Sequence, residues 1–474
     1  MSQTPILLWF RRDLRLDDHP ALSEAAASGR QVIPVFIHDE TVEALGAAPK
    51  WRLGLGVEAF GSALEKLGAR LILRRGRAAE VIDALIRETG AGAVWWTRTY
   101  EPSHIARDRA IKADLAARGI EARSFAGALL FEPRDVMTGA GTPYSVFTPF
   151  WRSVRARDPG RALAAPVRLT GPADWPRSEA LVDWRMGAAM RRGAAVVLPH
   201  LEVGAERALA RLDRFFEDSV MDYAEGRDFP VRAVTSGLSE NLAWGEISPR
   251  RIWHRAVLES DAGRGRGPEK FLSELGWREF AWHLMTHQPK LAEANWRAEW
   301  DGFPWRGDNE DAEVWRRAQT GEPFVDAGLR EMYVTGRMHN RVRMVVASYL
   351  TKHLLTDWRV GLQWFADCLV DWDPAANALG WQWVAGSGPD AAPYFRVFNP
   401  ETQGEKFDPD GQYRRRFIAE GQRVPGADAL AWFDAIPVSW DQRPGQAYPA
   451  RRVALAAGRE AALGAYESFR NAYK

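Results

Sequence analysis

Ile6-Leu7-Leu8-Trp9-Phe10, followed at once by Arg11-Arg12-Asp13-Leu14-Arg15, decides how the first part of this chain folds. The apolar run reads as a strand. Runs of the same kind return at Gln31–His38, Ala69–Arg74, Ala93–Thr97 and Ala122–Phe125. Amphipathic segments between them, Pro20–Ser28, Trp51–Leu67, Ala78–Glu88 and Ser103–Arg118, predict helices. Strands alternating with helices indicate a parallel α/β sheet. A dinucleotide site would need G-x-G-x-x-G after the first strand, where this chain has a charged run. The expectation is therefore an α/β N-terminal domain over 1–132, with a Rossmann-like parallel sheet that does not hold NAD.

Downstream the pattern changes twice. Residues 133–202 are rich in Pro, Gly and Arg, have weak periodicity, and read as a long interdomain connector. After Leu201 the signals are helical: Gly204–Phe216, Ile247–Glu259, Lys270–His287, Ala312–Ala318, Asp326–Thr335, Met338–His353 and Val360–Cys368. Residues 203–474 are expected to form an all-α domain. At 474 residues with 46% hydrophobic composition, the chain suits two or three domains with full cores. No apolar run approaches the roughly 20 residues of a membrane span, and the N-terminus lacks the pattern of a signal peptide. The single cysteine, Cys368, excludes an internal disulfide and a four-cysteine metal site, and no metal is expected. A net charge of +1 means that any nucleic-acid site must be a local basic patch. The 22 tryptophans suit stacking and electron transfer as well as packing.

Chemistry concentrates between Gly336 and Trp383. If a helix lies within Pro323–Leu355, Asn340, Arg343 and Met344 stand at i, i+3 and i+4 on one face, above the small Ala347 and Ser348. Asp371-Trp372-Asp373-Pro374-Ala375-Ala376-Asn377-Ala378-Leu379-Gly380-Trp381-Gln382-Trp383 then sets carboxylates and an amide among indoles. Each piece also reads as structure: Arg343 with Asp371 as an ion pair, Trp358, Trp381 and Trp383 as core. Polar groups among buried indoles need partners, however, and a large, polar, planar molecule would supply them.

This run, continued through Gly388-Pro389-Asp390-Ala391-Ala392-Pro393-Tyr394-Phe395-Arg396 and Phe398-Asn399-Pro400, resembles the flavin-binding core of the photolyase/cryptochrome family. The similarity runs from Ile6 to about Phe417, and its pattern is most like bacterial class I cyclobutane pyrimidine dimer photolyases. Phe10 to Arg15 matches the family's antenna domain, and Thr142 to Trp151 the start of its connector. The resemblance implies FAD, held by Tyr223, the diphosphate-gripping segment Thr235-Ser236-Gly237-Leu238-Ser239, Phe271, Glu274, Arg278, Asn340, Arg343, Asp371, Asp373 and Asn377. Gly237 stands where the family commonly has arginine, and Glu240-Asn241 replaces a proline-led pair. Arg343 and Asp371 would pair against the ring edge, and Asp373 would accept hydrogen bonds from ring or sugar. Asn377 would face N5, where a neutral amide suits an anionic reduced flavin.

Glu274, Trp277 and Arg278 share one helical face. The resemblance makes Glu274 the residue that stabilises charge on the lesion, Trp277 and Trp383 the clamp on a flipped dimer, and Met344 and Asn340 its floor. Arg227, Arg341 and Arg396 match phosphate contacts, with Lys406 as a further candidate. Trp381, Trp358 and Trp305 match a three-tryptophan electron route. The function implied is light-driven splitting of cyclobutane pyrimidine dimers in UV-damaged DNA by a cytoplasmic, monomeric lyase. The alternatives are a cryptochrome-like photosensor and repair of the (6-4) photoproduct. Asn340 stands where (6-4) enzymes place histidine, and Asn377, Glu274, Trp277 and Met344 argue against the sensor. A second antenna chromophore, 5,10-methenyltetrahydrofolate or another, stays open, because Tyr100-Glu101-Pro102-Ser103-His104 puts histidine where pterin-binding relatives have glutamate.

Overall fold

The computed structural model describes residues 4–263, 265–390, 394 and 396–472. Five strands, β1 (Ile6–Phe10), β2 (Val32–His38), β3 (Ile72–Arg75), β4 (Ala93–Thr97) and β5 (Glu121–Phe125), form one parallel sheet in the order β3-β2-β1-β4-β5. The three inner strands are buried at every position, because helices cover both faces and a parallel sheet needs that cover. Leu8 and Phe10 pack into one core and Leu7 and Trp9 into the other.

The chain order reverses between β2-β1 and β4, the crevice where such sheets often bind a nucleotide. Here the loop after β1 grips protein instead. Arg15 donates to the carbonyls of Gly127 (2.7 Å) and Gly245 (3.1 Å), and Leu14 N–H donates to Trp244 O (3.3 Å). Gly245 has φ +67°, and a Cβ there would collide with the Arg12 carbonyl, so only glycine allows this approach. The charged run that excluded NAD thus docks the sheet domain onto the helical one.

A second bond between the domains is entirely buried. Arg52, on the helix Ala47–Glu65, meets Glu246 bidentately (2.6 and 2.9 Å) and Glu240 (3.3 Å), and all three side chains are 0% exposed. The connector wraps the sheet domain: Thr170 O accepts from Val32 N–H and Leu73 O from Glu179 N–H. It also contains a helix, Phe147–Arg155, that its weak periodicity concealed. Phe147, Phe150 and Val154 bury one side of it against the helix Gly267–His287, and Gly276 makes room for Trp151. Pro149 falls in its first turn, where no intrahelical donor is lost.

The remaining chain is helical, as read. The expected helix over Met338–His353 is two pieces: α-helix at Asn340–Ser348, then a π-helical turn at Tyr349–His353. Within that turn buried Lys352 donates to Tyr394 O at 2.7 Å, and burial pushes its ammonium down to about 7. Helices at Pro374–Ala385, Pro400–Phe407, Gln412–Phe417 and Ala427–Ala435 were not anticipated; the alanine-rich C-terminal helix is Leu455–Ala472. Ala391, Ala392, Pro393 and Phe395 of the quoted family pattern, and Lys474 at the chain end, lie outside the described residues. No described helix is long and apolar enough to cross a membrane.

Removing one partner of a buried ion network leaves an uncompensated charge, which costs about 3–5 kcal/mol. Arg52→Met should therefore lose that much stability in urea, and adding Glu240→Gln with Glu246→Gln should recover much of it.

Candidate functional site

A cleft of about 720 Å³ opens in the helical domain. One wall is the Thr235–Ser239 loop with Arg211 behind it. A second carries Tyr223, Arg227 and Glu274; the third carries Met338, His339, Asn340, Arg343 and Asp371. Thirteen of the sequence's candidates fall into two groups here: eleven line this cleft, Tyr223, Arg227, Thr235, Ser236, Gly237, Leu238, Ser239, Glu274, Asn340, Arg343 and Asp371, while Arg278 and Asp373 line a separate niche.

The third wall is built from a turn and a cap. Gly336, with φ +73°, ends the helix Pro323–Thr335, and a side chain there would strike Val370 and Val197. His339 Nδ1 accepts from Arg341 N–H (3.3 Å) and starts the next helix. Arg343 is aimed by two anchors: its Nε donates to Met338 O (2.8 Å), and its Nη2 donates to both oxygens of buried Asp371 (2.8 and 3.0 Å). Burial pushes the His339 imidazole down to about 4, and its buried Nε2 has no protein partner. The small Ala347 and Ser348 below that face are buried, with Ser348 Oγ accepting from Phe398 N–H (3.2 Å).

On the second wall Phe271 meets Tyr223 edge-on at 5.5 Å, and the Arg227 guanidinium lies 5.3 Å from the Tyr223 ring. Glu274 contacts Arg227 and, at 2.8 Å, Lys270. Arg227, expected on DNA phosphate, is turned inward onto Glu274 because the tyrosine face and the carboxylate hold it there. Arg341 likewise pairs with Asp228 (2.5 Å) over the Phe407 ring. Arg396 and Lys406 are exposed.

Trp277 is half-buried and stacks on Phe147 with centroids 3.7 Å apart and planes at 10°, so one of its faces is already covered by the connector helix. Met344 and Trp383 are half-buried against the main helical core. Asp373 caps the helix Pro374–Ala385 through Ala376 N–H (2.9 Å) and accepts from Trp282 Nε1 (3.0 Å). Asn377 is buried and donates one amide hydrogen to Asp373 O (2.9 Å). Arg278 donates to Ala128 O and Glu279, and burial raises that carboxyl to about 7. Trp381 and Trp358 are buried, Trp305 half-buried, and Trp358 Nε1 donates to Asn295 Oδ1 (2.9 Å).

The niche beside Tyr100 and Glu101 measures about 40 Å³, room for a few waters. His104 sits next to it, buried and held down to about 3 by burial and by Arg12. Another cavity of about 720 Å³ has Tyr333, Trp364 and Trp440 in its lining. Among the described residues no group of three or more His, Cys, Asp or Glu is gathered for a metal.

Sequence reasoning missed Arg211, Arg337, Lys270 and Phe147. Arg211 had a signal: it falls on the apolar stripe Ala208, Leu212, Phe215, where a charge needs a reason to be buried.

A cleft with hydroxyls and arginines at one end and a fixed ion pair and aromatic wall elsewhere fits the diphosphate and ring of a flavin dinucleotide. An α/β sheet domain clamped to an all-helical domain with such a cleft defines a two-domain flavoprotein. The chain matches the family descriptions "DNA photolyase" over residues 6–167 and "FAD binding domain of DNA photolyase" over 271–468. It is 45% identical to the deoxyribodipyrimidine photo-lyase of Agrobacterium fabrum, over 98% of each chain. It is 34% identical to cryptochrome-1 of Arabidopsis thaliana, over 88% of this chain and 63% of that one. A crystal structure of a class III photolyase from Agrobacterium tumefaciens superposes with a TM-score of 0.92 at 44% identity, covering 99% of this chain and 98% of that one. The chain belongs to the DNA photolyase/cryptochrome family. The class I placement finds no support in these likenesses; the similar solved structure is of class III.

Asp371→Asn should cost about 1.5–3 kcal/mol in urea unfolding, the worth of hydrogen bonds to a charged group, because Arg343 loses its buried anion.

Proposed function

We propose that this protein is a light-dependent DNA repair enzyme, a deoxyribodipyrimidine photo-lyase that splits cyclobutane pyrimidine dimers, acting as a cytoplasmic monomer. One observation carries the reading: Glu274 and Asn340, the lesion-facing candidates, line the same cleft as Arg343, Asp371 and the Thr235–Ser239 loop. Cofactor and substrate residues thus share one cavity.

FAD, when bound, would supply light-driven one-electron chemistry in which the electron returns once the two cyclobutane C–C bonds have broken, so that no net reductant would be consumed. Arg343 is held by Asp371 and Met338 O, and orients the ring edge without moving. Asn377 spends one amide hydrogen on Asp373 O and keeps the other for a ring acceptor. Around the lesion, Glu274 brings Arg227 and Lys270 with it, so N–H donors stand ready for a pyrimidine carbonyl that gains negative charge. Trp277, backed by Phe147, offers a single rigid face for stacking opposite Trp383, with Met344 and Asn340 below. Exposed Arg396 is the DNA phosphate contact, and Arg341 joins it once Asp228 releases its guanidinium.

His339 separates this reading from repair of the (6-4) lesion. It lies beside Asn340 at the cleft, but its Nδ1 is spent on a helix cap, and burial keeps the ring neutral at pH 7. It is not an acid for hydroxyl transfer.

Reduced protein under blue light should restore thymines from an oligonucleotide carrying one cyclobutane dimer and leave a (6-4) oligonucleotide unchanged. Repair of the (6-4) substrate would overturn the branch, and firm FAD binding without repair of either would favour the photosensor. Glu274→Gln should lower the splitting rate more than the affinity for lesion DNA, since it releases the two cations that the carboxylate holds in place.

Electrons that reduce an oxidised cofactor pass through Trp381, Trp358 and Trp305. Gly361, on the helix that starts at Trp358, leaves the space filled by the Trp381 ring. Trp381→Phe should abolish photoreduction yet leave repair by chemically reduced protein nearly intact; photoreduction at the normal rate would remove Trp381 from the route.

A further inference from the structure

The segment that should grip the diphosphate is weaker than its sequence suggests. The helix after it, Ser239–Ala243, has five residues and no side-chain N-cap, too short to lend a useful dipole. Thr235 and Ser239 are neutral hydroxyls, and Gly237 carries no side chain at all. A dinucleotide brings two phosphate charges to this end of the cleft, so positive charge must come from elsewhere.

The structure shows where it comes from. Gly237 has φ +64°, and a Cβ built on it would lie 3.4 Å from Arg337 Nη1 and 3.6 Å from Arg211 Cδ. Both arginines are therefore the side chains that a Cβ at 237 would touch at van der Waals distance, and both line the cleft. Arg211 donates through Nη1 to Gly237 O (2.7 Å) and to Asn241 Oδ1 (2.9 Å), which fixes the loop backbone. Arg337 is 27% exposed and lines the cleft; its Nη2 donates to His200 O (2.9 Å). Buried Glu240 aims both: its Oε2 stands 3.5 Å from Arg337 Nη1 and 3.7 Å from Arg211 Nη1, with no closer hydrogen-bond partner.

We propose that Arg337 is a ligand of the cofactor's diphosphate, replacing in space the side chain missing at Gly237, and that Arg211 and Glu240 are its positioning residues. This rests on the flavin reading above and deepens it. It also explains the change after the loop. Glu240 holds the two arginines apart on one side and Arg52 of the sheet domain on the other, a task that the apolar ring of a proline would not perform.

The test uses binding, not repair. Protein stripped of flavin is titrated with FAD and with riboflavin, which has the ring but no phosphate, and far-UV circular dichroism confirms that the fold is kept. Arg337→Gln keeps a donor for His200 O and loses the charge. It should weaken FAD by about tenfold or more, the scale of one charge-assisted contact, and leave riboflavin within about twofold. Arg337→Lys should recover part of the loss. FAD binding unchanged in Arg337→Gln, or FAD and riboflavin weakened equally, overturns the assignment. Wild-type protein gives an independent reading: added salt should weaken FAD but not riboflavin, and a salt-insensitive FAD affinity also overturns it. Wild type that takes up neither flavin overturns the functional reading itself; wild type that binds both equally overturns only the role of Arg337.

Discussion

Two carboxylates and one guanidinium, all without solvent, sit where the two domains of this protein meet. Arg52 satisfies Glu246 bidentately and reaches Glu240, while Asn241 donates to Glu246 (2.6 Å) and Glu202 N–H donates to Glu240 (3.2 Å). Such an arrangement gains little net stability over apolar packing, but it tolerates no missing member. Its value lies in position. Glu240 and Asn241 follow directly on the Thr235–Ser239 loop, so the network that joins the domains also sets that loop. The sheet domain therefore shapes the cofactor cleft although it contributes no residue to the cleft's lining.

The same economy explains the loop after β1. In a parallel sheet the C-terminal ends of the strands, where the chain order reverses, form a crevice suited to a ligand. This protein fills the crevice with Arg15, Asp13 and the turn at Gly245. Burial opposes the charge on Asp13, yet His19 at 2.9 Å holds its carboxyl down at about 2, so it stays ionised. The large candidate cleft lies instead in the helical domain, between walls that the docking holds in register.

Charge in that cleft is organised locally, as a chain with net charge +1 requires. Three anions in or beside it have cations: Asp371 has Arg343, Glu274 has Arg227 and Lys270, Glu240 has Arg211, Arg337 and Arg52. Pairing of this kind keeps cationic groups aimed in the free protein, so binding a phosphate or a carbonyl requires little reorganisation. It also means that few of the arginines that looked like DNA contacts are free to be so.

Local pattern sufficed for what is local. The five strands were placed to within a few residues, since each is a short run set off by turns, and the helices with clear stripes followed their period. Asp371, Asp373 and Asn377 were named from the resemblance that the run Asp371 to Trp383 carries, and of the three the structure puts Asp371 in the cleft. What the sequence could not reveal was pairing across distance. The Phe147–Arg155 helix, with a proline in its first turn, acquires its role only by covering Trp277. Arg227 sits on Glu274 and Arg341 on Asp228 because packing brings together side chains 47 and 113 residues apart, a choice that no local spacing encodes. Periodicity determined the elements and the family resemblance implied the kind of site; the tertiary structure alone decided which charges meet, since a buried ion needs a partner wherever the fold supplies one.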